Sequence, residues 1–153
     1  MNKIRDWLYI GKYSETKNIT LLQANGINAM LLLAEDIKQP GITSLYLPVE
    51  DGVELPFNLL KQGIEFVLNQ RNNGKIVLVA CGAGISRSAS FAIAALKEAE
   101  HVSLKEATRQ VALHHPQTLP HPELWKSLCE YYAENISLSD MFRLVKNPGI
   151  LNS

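Results

Sequence analysis

Apolar residues in this chain fall into two kinds of run that alternate along its length. Ala29-Met-Leu-Leu-Leu33 is a continuous apolar block, the pattern of a strand buried on both faces of a sheet, and Lys75-Ile-Val-Leu-Val-Ala80 is a second strand-like run of the buried type. Trp7 to Ile10 reads as a shorter strand, and Ser44 to Pro48 as another that ends at its proline. Helical patterns lie between them. Thr16 to Asn25 predicts a helix with Gly26 as its stop. Phe57, Leu60, Ile64 and Val67 share one helical face, closed by Asn72-Asn73-Gly74. Further helices are expected at about 88–100, 103–114 and 122–134, with Ser103 and Glu106 in capping-box spacing. In the tail, Ser137-Leu-Ser-Asp140 can cap a short helix bearing Met141, Phe142, Leu144 and Val145, with Asn147-Pro-Gly149 as its stop. Residues from about 135 to 153 thus read as a helical extension packing on the domain. Strands alternating with helices argue for an α/β fold. No repeat or low-complexity segment interrupts them.

Composition narrows the classes. The 153 residues suit one domain, 1–153, and 46% hydrophobic content supplies a core. Lys plus Arg and Asp plus Glu number 15 each, so charge gives no case for nucleic acid or an anionic membrane. No apolar run reaches spanning length, and Met1 to Trp7 is not a signal peptide. Two cysteines make no disulfide framework, and a reactive thiol belongs in reducing surroundings, so the cytoplasm is expected. A monomer is favoured, with the oligomeric state left open. His114, His115 and His121 stand near no cysteine or carboxylate cluster at a ligand spacing. No metal is expected, and histidines at a helix end are explained by its dipole.

The candidate chemistry lies in Cys81-Gly-Ala-Gly-Ile-Ser-Arg-Ser88, a Cys-x5-Arg loop between the 75–80 strand and an alanine-rich helix. Strand, tight loop and helix N-terminus aim backbone N–H groups at one spot, which suits a phosphate-sized oxyanion. The same spot favours the thiolate of Cys81 as a nucleophile. Arg87 adds a guanidinium fork for two phosphate oxygens. Sulfur attack on a phosphate ester is the chemistry implied. Ala89, Ala92, Ile93, Ala95 and Ala99 give the following helix a narrow surface that can lie close to the sheet. Cys129 reads as a small buried hydrophobe.

Cys81 to Ser88 resembles the phosphate-binding loop of the cysteine-dependent protein tyrosine phosphatase superfamily. Ala83-Gly84-x-Ser86-Arg87-Ser88 is similar to its dual-specificity class, in the small atypical and archaeal-type form. Leu8-Tyr-Ile-Gly11 resembles the opening strand of that class. Ser103 to Ala107 with His115-Pro116 resembles its later helix-to-loop segment, and Pro116 to His121 a proline-spaced loop bordering the site. The resemblance implies a central, mostly parallel sheet flanked by helices on both faces, with the phosphate loop between a central strand and a helix. It implies a cofactor-independent phosphatase working through a phosphocysteine. Cys81 would be the nucleophile. Arg87 and the backbone of Gly82, Ala83, Gly84, Ile85, Ser86 and Arg87 would hold the phosphate. Asp51, in Pro48-Val-Glu-Asp-Gly-Val53, would be the general acid, with Glu50 in reserve; both also suit an ordinary turn. Ser88 would stabilise the sulfur as a leaving group, or serve as a helix N-cap. Ser86 would shape the loop through local hydrogen bonds.

Two positions depart from the family pattern. Ala80 stands where a histidine usually precedes the nucleophile, and Leu32 where many members carry an asparagine that braces the loop. Restoring histidine at 80 is expected to raise activity near neutral pH. The expected substrate is a phosphorylated protein, carrying phosphotyrosine or phosphoserine/threonine, or a small phosphomonoester. Nucleotides, RNA 5′-phosphates and lipids stay open as alternatives. So do a phosphate-binding module with weak turnover and a sulfur-transfer or arsenate-reducing enzyme. Ala83 and Ile85, where lysines would suit an inositol polyphosphate lipid, favour a singly phosphorylated substrate.

Overall fold

A computed structural model describes residues 1–149. In chain order its elements are β1 (Asn2–Arg5), β2 (Leu8–Lys12), α1 (Tyr13–Thr16), α2 (Ile19–Ala24), β3 (Ala29–Leu32), β4 (Thr43–Tyr46), α3 (Phe57–Asn72), β5 (Val77–Cys81), α4 (Arg87–Glu100), α5 (Leu104–His114), α6 (Pro122–Tyr132) and α7 (Leu138–Lys146). The sheet order is β1-β2-β5-β3-β4. Every pairing is parallel except β1 with β2, so the sheet is mostly parallel with one antiparallel edge.

The two apolar runs become neighbours, β3 and β5, in register from Ala29↔Val77 to Leu32↔Ala80. All residues of β5 are buried. Period-two alternation then divides its side chains between the two faces. Val77, Val79 and Cys81 enter the larger core, with Leu60, Ile64 and Val67 of α3, Phe91 and Ala92 of α4, and Trp125 and Leu128 of α6. Leu78 and Ala80 enter a smaller cluster with Tyr9, Leu22, Met30 and Leu32. Helices therefore cover both faces. After β2 the chain passes β5's future place, builds β3 and β4 outward, and returns through α3 to insert β5. The carboxyl end of β5 thus opens where the connections diverge, the ligand crevice of open α/β sheets.

Several elements differ from the sequence expectation. β1 was not foreseen, because Asn2–Arg5 lacks an apolar run and is held by pairing with β2. The helix expected over 16–25 is shorter, α2 at Ile19–Ala24, since Asn18 caps it, accepting from Leu21 N at 3.0 Å, and the separate turn of α1 precedes it. β4 ends at Tyr46 rather than Pro48, yet Leu47 N and Val49 N still donate to Leu32 O (2.9 Å) and Leu33 O (3.0 Å). The Ser103 cap forms, accepting from Glu106 N at 3.0 Å. Its reciprocal half does not, because the Glu106 carboxylate takes a two-point bond from Arg109 at 2.8 and 2.9 Å. In the tail, α7 buries Met141 and Leu144. The rest of that expected extension, residues 150–153, lies outside the described residues. No helix among the described residues is long and apolar enough to cross a membrane.

Candidate active site

Cys81 ends β5, and α4 starts six residues later at Arg87 with Ser86 as its N-cap residue. Ala89, Ala92 and Ala95 are fully buried, so α4 lies close to the sheet with its free N–H groups facing the loop. Gly84 is required twice over: its φ is +71°, and an added Cβ would sit 2.9 Å from Gly11 O. Tyr13 N donates to Gly82 O at 3.3 Å, pinning the other end of the loop. A Cβ on Gly82 would lie 3.1 Å from an Arg87 guanidinium nitrogen, so the arginine lies against the loop. Its Nη1 donates to Val49 O at 3.0 Å, which joins the arginine to the segment carrying Asp51.

Cys81 Sγ lies 3.1 Å from Ser88 Oγ, and both residues are buried. Ser88 is the second residue of α4, not its N-cap, so the capping alternative is set aside. Beside a thiolate its hydroxyl is the donor. Ser86 bridges loops distant in sequence rather than bonding locally. Its Oγ donates to Asp51 Oδ1 at 2.8 Å and accepts from His121 N at 2.8 Å. Asp51 lines a cavity of about 340 Å³ together with Cys81, Arg87 and His121. Glu50 lines a different cavity, with Pro48, Glu54 and Leu59. Cys129 is elsewhere, 3.6 Å from Ile136 O, and burial pushes its thiol up, away from thiolate.

His115 does not serve the helix dipole, as its place at a helix end suggests, but the phosphate loop. The ring is turned inward at 4% exposure. Nε2 is 2.5 Å from Gly84 O, and Nδ1 is 2.8 Å from Asn2 Nδ2. An amide NH₂ can only donate, so Nδ1 accepts, and Nε2–H donates to the phosphate-loop carbonyl. No local pattern shows this, because Asn2 reaches the site through the unforeseen β1. Desolvation is the largest influence on His115 and moves its pKa below the ordinary 6.5. The unfolded chain therefore takes up this proton first. Stability attached to His115 is present above pH 6.5 and is lost as pH falls toward the lower folded value. Urea denaturation on either side of pH 6.5 should show that loss in the parent and a smaller one in His115→Gln. Glu15, Glu100 and Glu106, held below their usual 4.5, lose their contributions only in a more acidic window.

Ala80 and Leu32, the two departures from the family pattern, are neighbours in register and 2% and 1% exposed. The leucine occupies the apolar space beside the alanine. A histidine at 80 must therefore displace packed side chains. Ala80→His alone should lose about 1–3 kcal/mol of stability in chemical denaturation, the usual range for overpacking. That loss opposes the gain in activity expected from the sequence.

Among the described residues no group of three or more His, Cys, Asp or Glu could hold a metal ion. A thiol, a guanidinium, loop amides, a hydroxyl and a carboxylate surround one cavity. That set suits attack on phosphorus and protonation of the oxygen that leaves.

Comparison with known proteins agrees with this chemistry. Residues 8–134 match the family described as dual specificity phosphatase, catalytic domain. Human dual specificity protein phosphatase 14 is 29% identical over 151 residues, covering 95% of this chain and 75% of that protein. Mouse dual specificity protein phosphatase 15 is 30% identical over 135 residues, covering 86% of this chain and 57% of that protein. The crystal structure of DUSP15 superposes with a TM-score of 0.79 at 27% identity, covering 93% of this chain and 92% of that one.

Proposed function

The chain belongs to the dual specificity phosphatase family and is a cysteine-dependent phosphatase; from this premise we propose how its own residues divide the work. Cys81 attacks phosphorus, forming the S–P bond as the ester P–O bond breaks. Arg87 and the amides of residues 82–87 hold the equatorial oxygens. Asp51 gives its proton to the departing oxygen. In the second step the Asp51 carboxylate takes a proton from water, which attacks the phosphocysteine and releases phosphate. Ser88 donates to the departing sulfur. One observation supports this division above the others: Asp51, Cys81 and Arg87 line a single cavity while Glu50 lines another. The substrate we propose is a phosphorylated protein with phosphotyrosine or phosphoserine/threonine. The described chain would act as one phosphatase domain, as a monomer, in the reducing cytoplasm that a free thiolate favours.

Asp51→Asn should lower turnover roughly 10²–10⁴-fold, the range for losing a general acid. The loss should shrink for aryl phosphates with good leaving groups, which need little protonation. A uniform loss across leaving groups, or a greater one in Glu50→Gln, would move the role away from Asp51. Turnover measured on a series of substituted phenyl phosphates decides this.

A further inference from the structure

Three large apolar side chains that the fold leaves uncovered meet at the active-site cavity. Ile85, Leu119 and Phe142 are 38%, 45% and 43% exposed, and all three line the cavity that contains Cys81. They come from three elements: the phosphate loop, the proline-spaced loop and α7. Leu119 N donates to Ile85 O at 3.0 Å, which holds the first two residues side by side. Phe142 is fixed through its helix. Met141 and Leu144 are buried, Ser137 Oγ accepts from Asp140 N at 3.1 Å, and Arg109 Nη1 donates to Pro148 O at 3.0 Å. α7 is thus anchored on its buried face, with Phe142 left at the cavity mouth.

Charge at that mouth is sparse. Among the described residues lining the cavity, Arg87 is the only Lys or Arg and Asp51 the only carboxylate. Arg87 serves the phosphate being transferred, so a second anionic group on the substrate meets no lysine or arginine there. What the walls offer next to the phosphate is apolar surface. A phenyl ring bonded directly to the phosphate oxygen extends far enough to cover such a rim and gains by leaving water. The short alkyl stem of a serine or threonine phosphate covers little of it.

We propose that Phe142 is a specificity-determining residue which, with Leu119 and Ile85, holds the ring of a phosphotyrosine and gives the enzyme a preference for aryl over alkyl phosphates. This rests on the phosphatase function proposed above and narrows it. The test uses one peptide sequence carrying phosphotyrosine or phosphoserine at the same position. Phe142→Ala should lower kcat/KM for the phosphotyrosine peptide roughly five- to twentyfold, the scale of one lost aromatic contact. The fall should lie mainly in KM, with the phosphoserine peptide unaffected. Phe142→Leu should keep most of the preference. Leu113→Ala, a similarly exposed residue outside the cavity, should change neither peptide. An equal fall on both peptides, or no change on either, overturns the role of Phe142 while leaving the phosphatase function standing. A parent protein that turns over neither these peptides nor a simple aryl phosphate overturns the phosphatase function and the specificity together.

Discussion

Cys81→Ser is expected to reduce turnover of an aryl phosphate on the order of 10⁵-fold or more, the scale of removing the nucleophile from a covalent enzyme. In the proposed route the Cys81 sulfur is the nucleophile, at the end of β5 beside the phosphate loop and the Arg87 guanidinium. A serine hydroxyl in that place stays protonated, and its neighbour, the Ser88 hydroxyl at 3.1 Å from Sγ in the parent, is no base. Phosphate binding should persist, because Gly84 keeps its fixed backbone and Arg87 its bond to Val49 O. Calorimetric titration with tungstate or inorganic phosphate should therefore give an affinity close to the parent's. A serine variant turning over at the parent rate would sink the covalent route.

Arg87→Lys should lose about 10³–10⁵ in kcat, the range for an arginine that stabilises a transferring phosphoryl group. The guanidinium has two tasks. One edge is committed to Val49 O at 3.0 Å, and a nitrogen lies against Gly82, where it can face the phosphate. An ammonium is a point charge and cannot make both contacts in fixed geometry. Losing the Val49 contact also frees the segment that carries Asp51, so catalysis should suffer more than phosphate affinity. Steady-state kinetics and phosphate inhibition constants, compared for parent and variant, measure the two effects separately. Unchanged kinetics would make Arg87 a structural charge.

The core of the site was legible because its determinants are local. A continuous apolar strand, two glycines, Arg87 and an alanine-rich helix lie within one stretch, and period two points Cys81 toward α4. The supports were not legible because they join distant segments. Ser86 reaches Asp51 across 35 residues, His115 reaches Gly84 across 31, and Asn2 reaches His115 across 113. β1, which delivers Asn2, carries no strand pattern of its own and exists through pairing with β2. α2 starts three residues later than the expected helix because the Asn18 side chain competes for the backbone and takes the cap position. Phe142 lies on α7, and only the tertiary fold brings that helix to the mouth of the cavity.

The proposed mechanism passes through a phosphoryl group carried on Cys81. Mixing the parent with an aryl phosphate whose leaving group is good makes the second step limiting, and a rapid acid quench followed by peptide mass spectrometry then reads the intermediate. One added phosphoryl group is expected on the peptide containing Cys81, with greater accumulation in Asp51→Asn, where water activation is impaired, and none in Cys81→Ser. Turnover under these conditions with the label absent from Cys81, or found on Ser88 instead, would exclude the phosphocysteine.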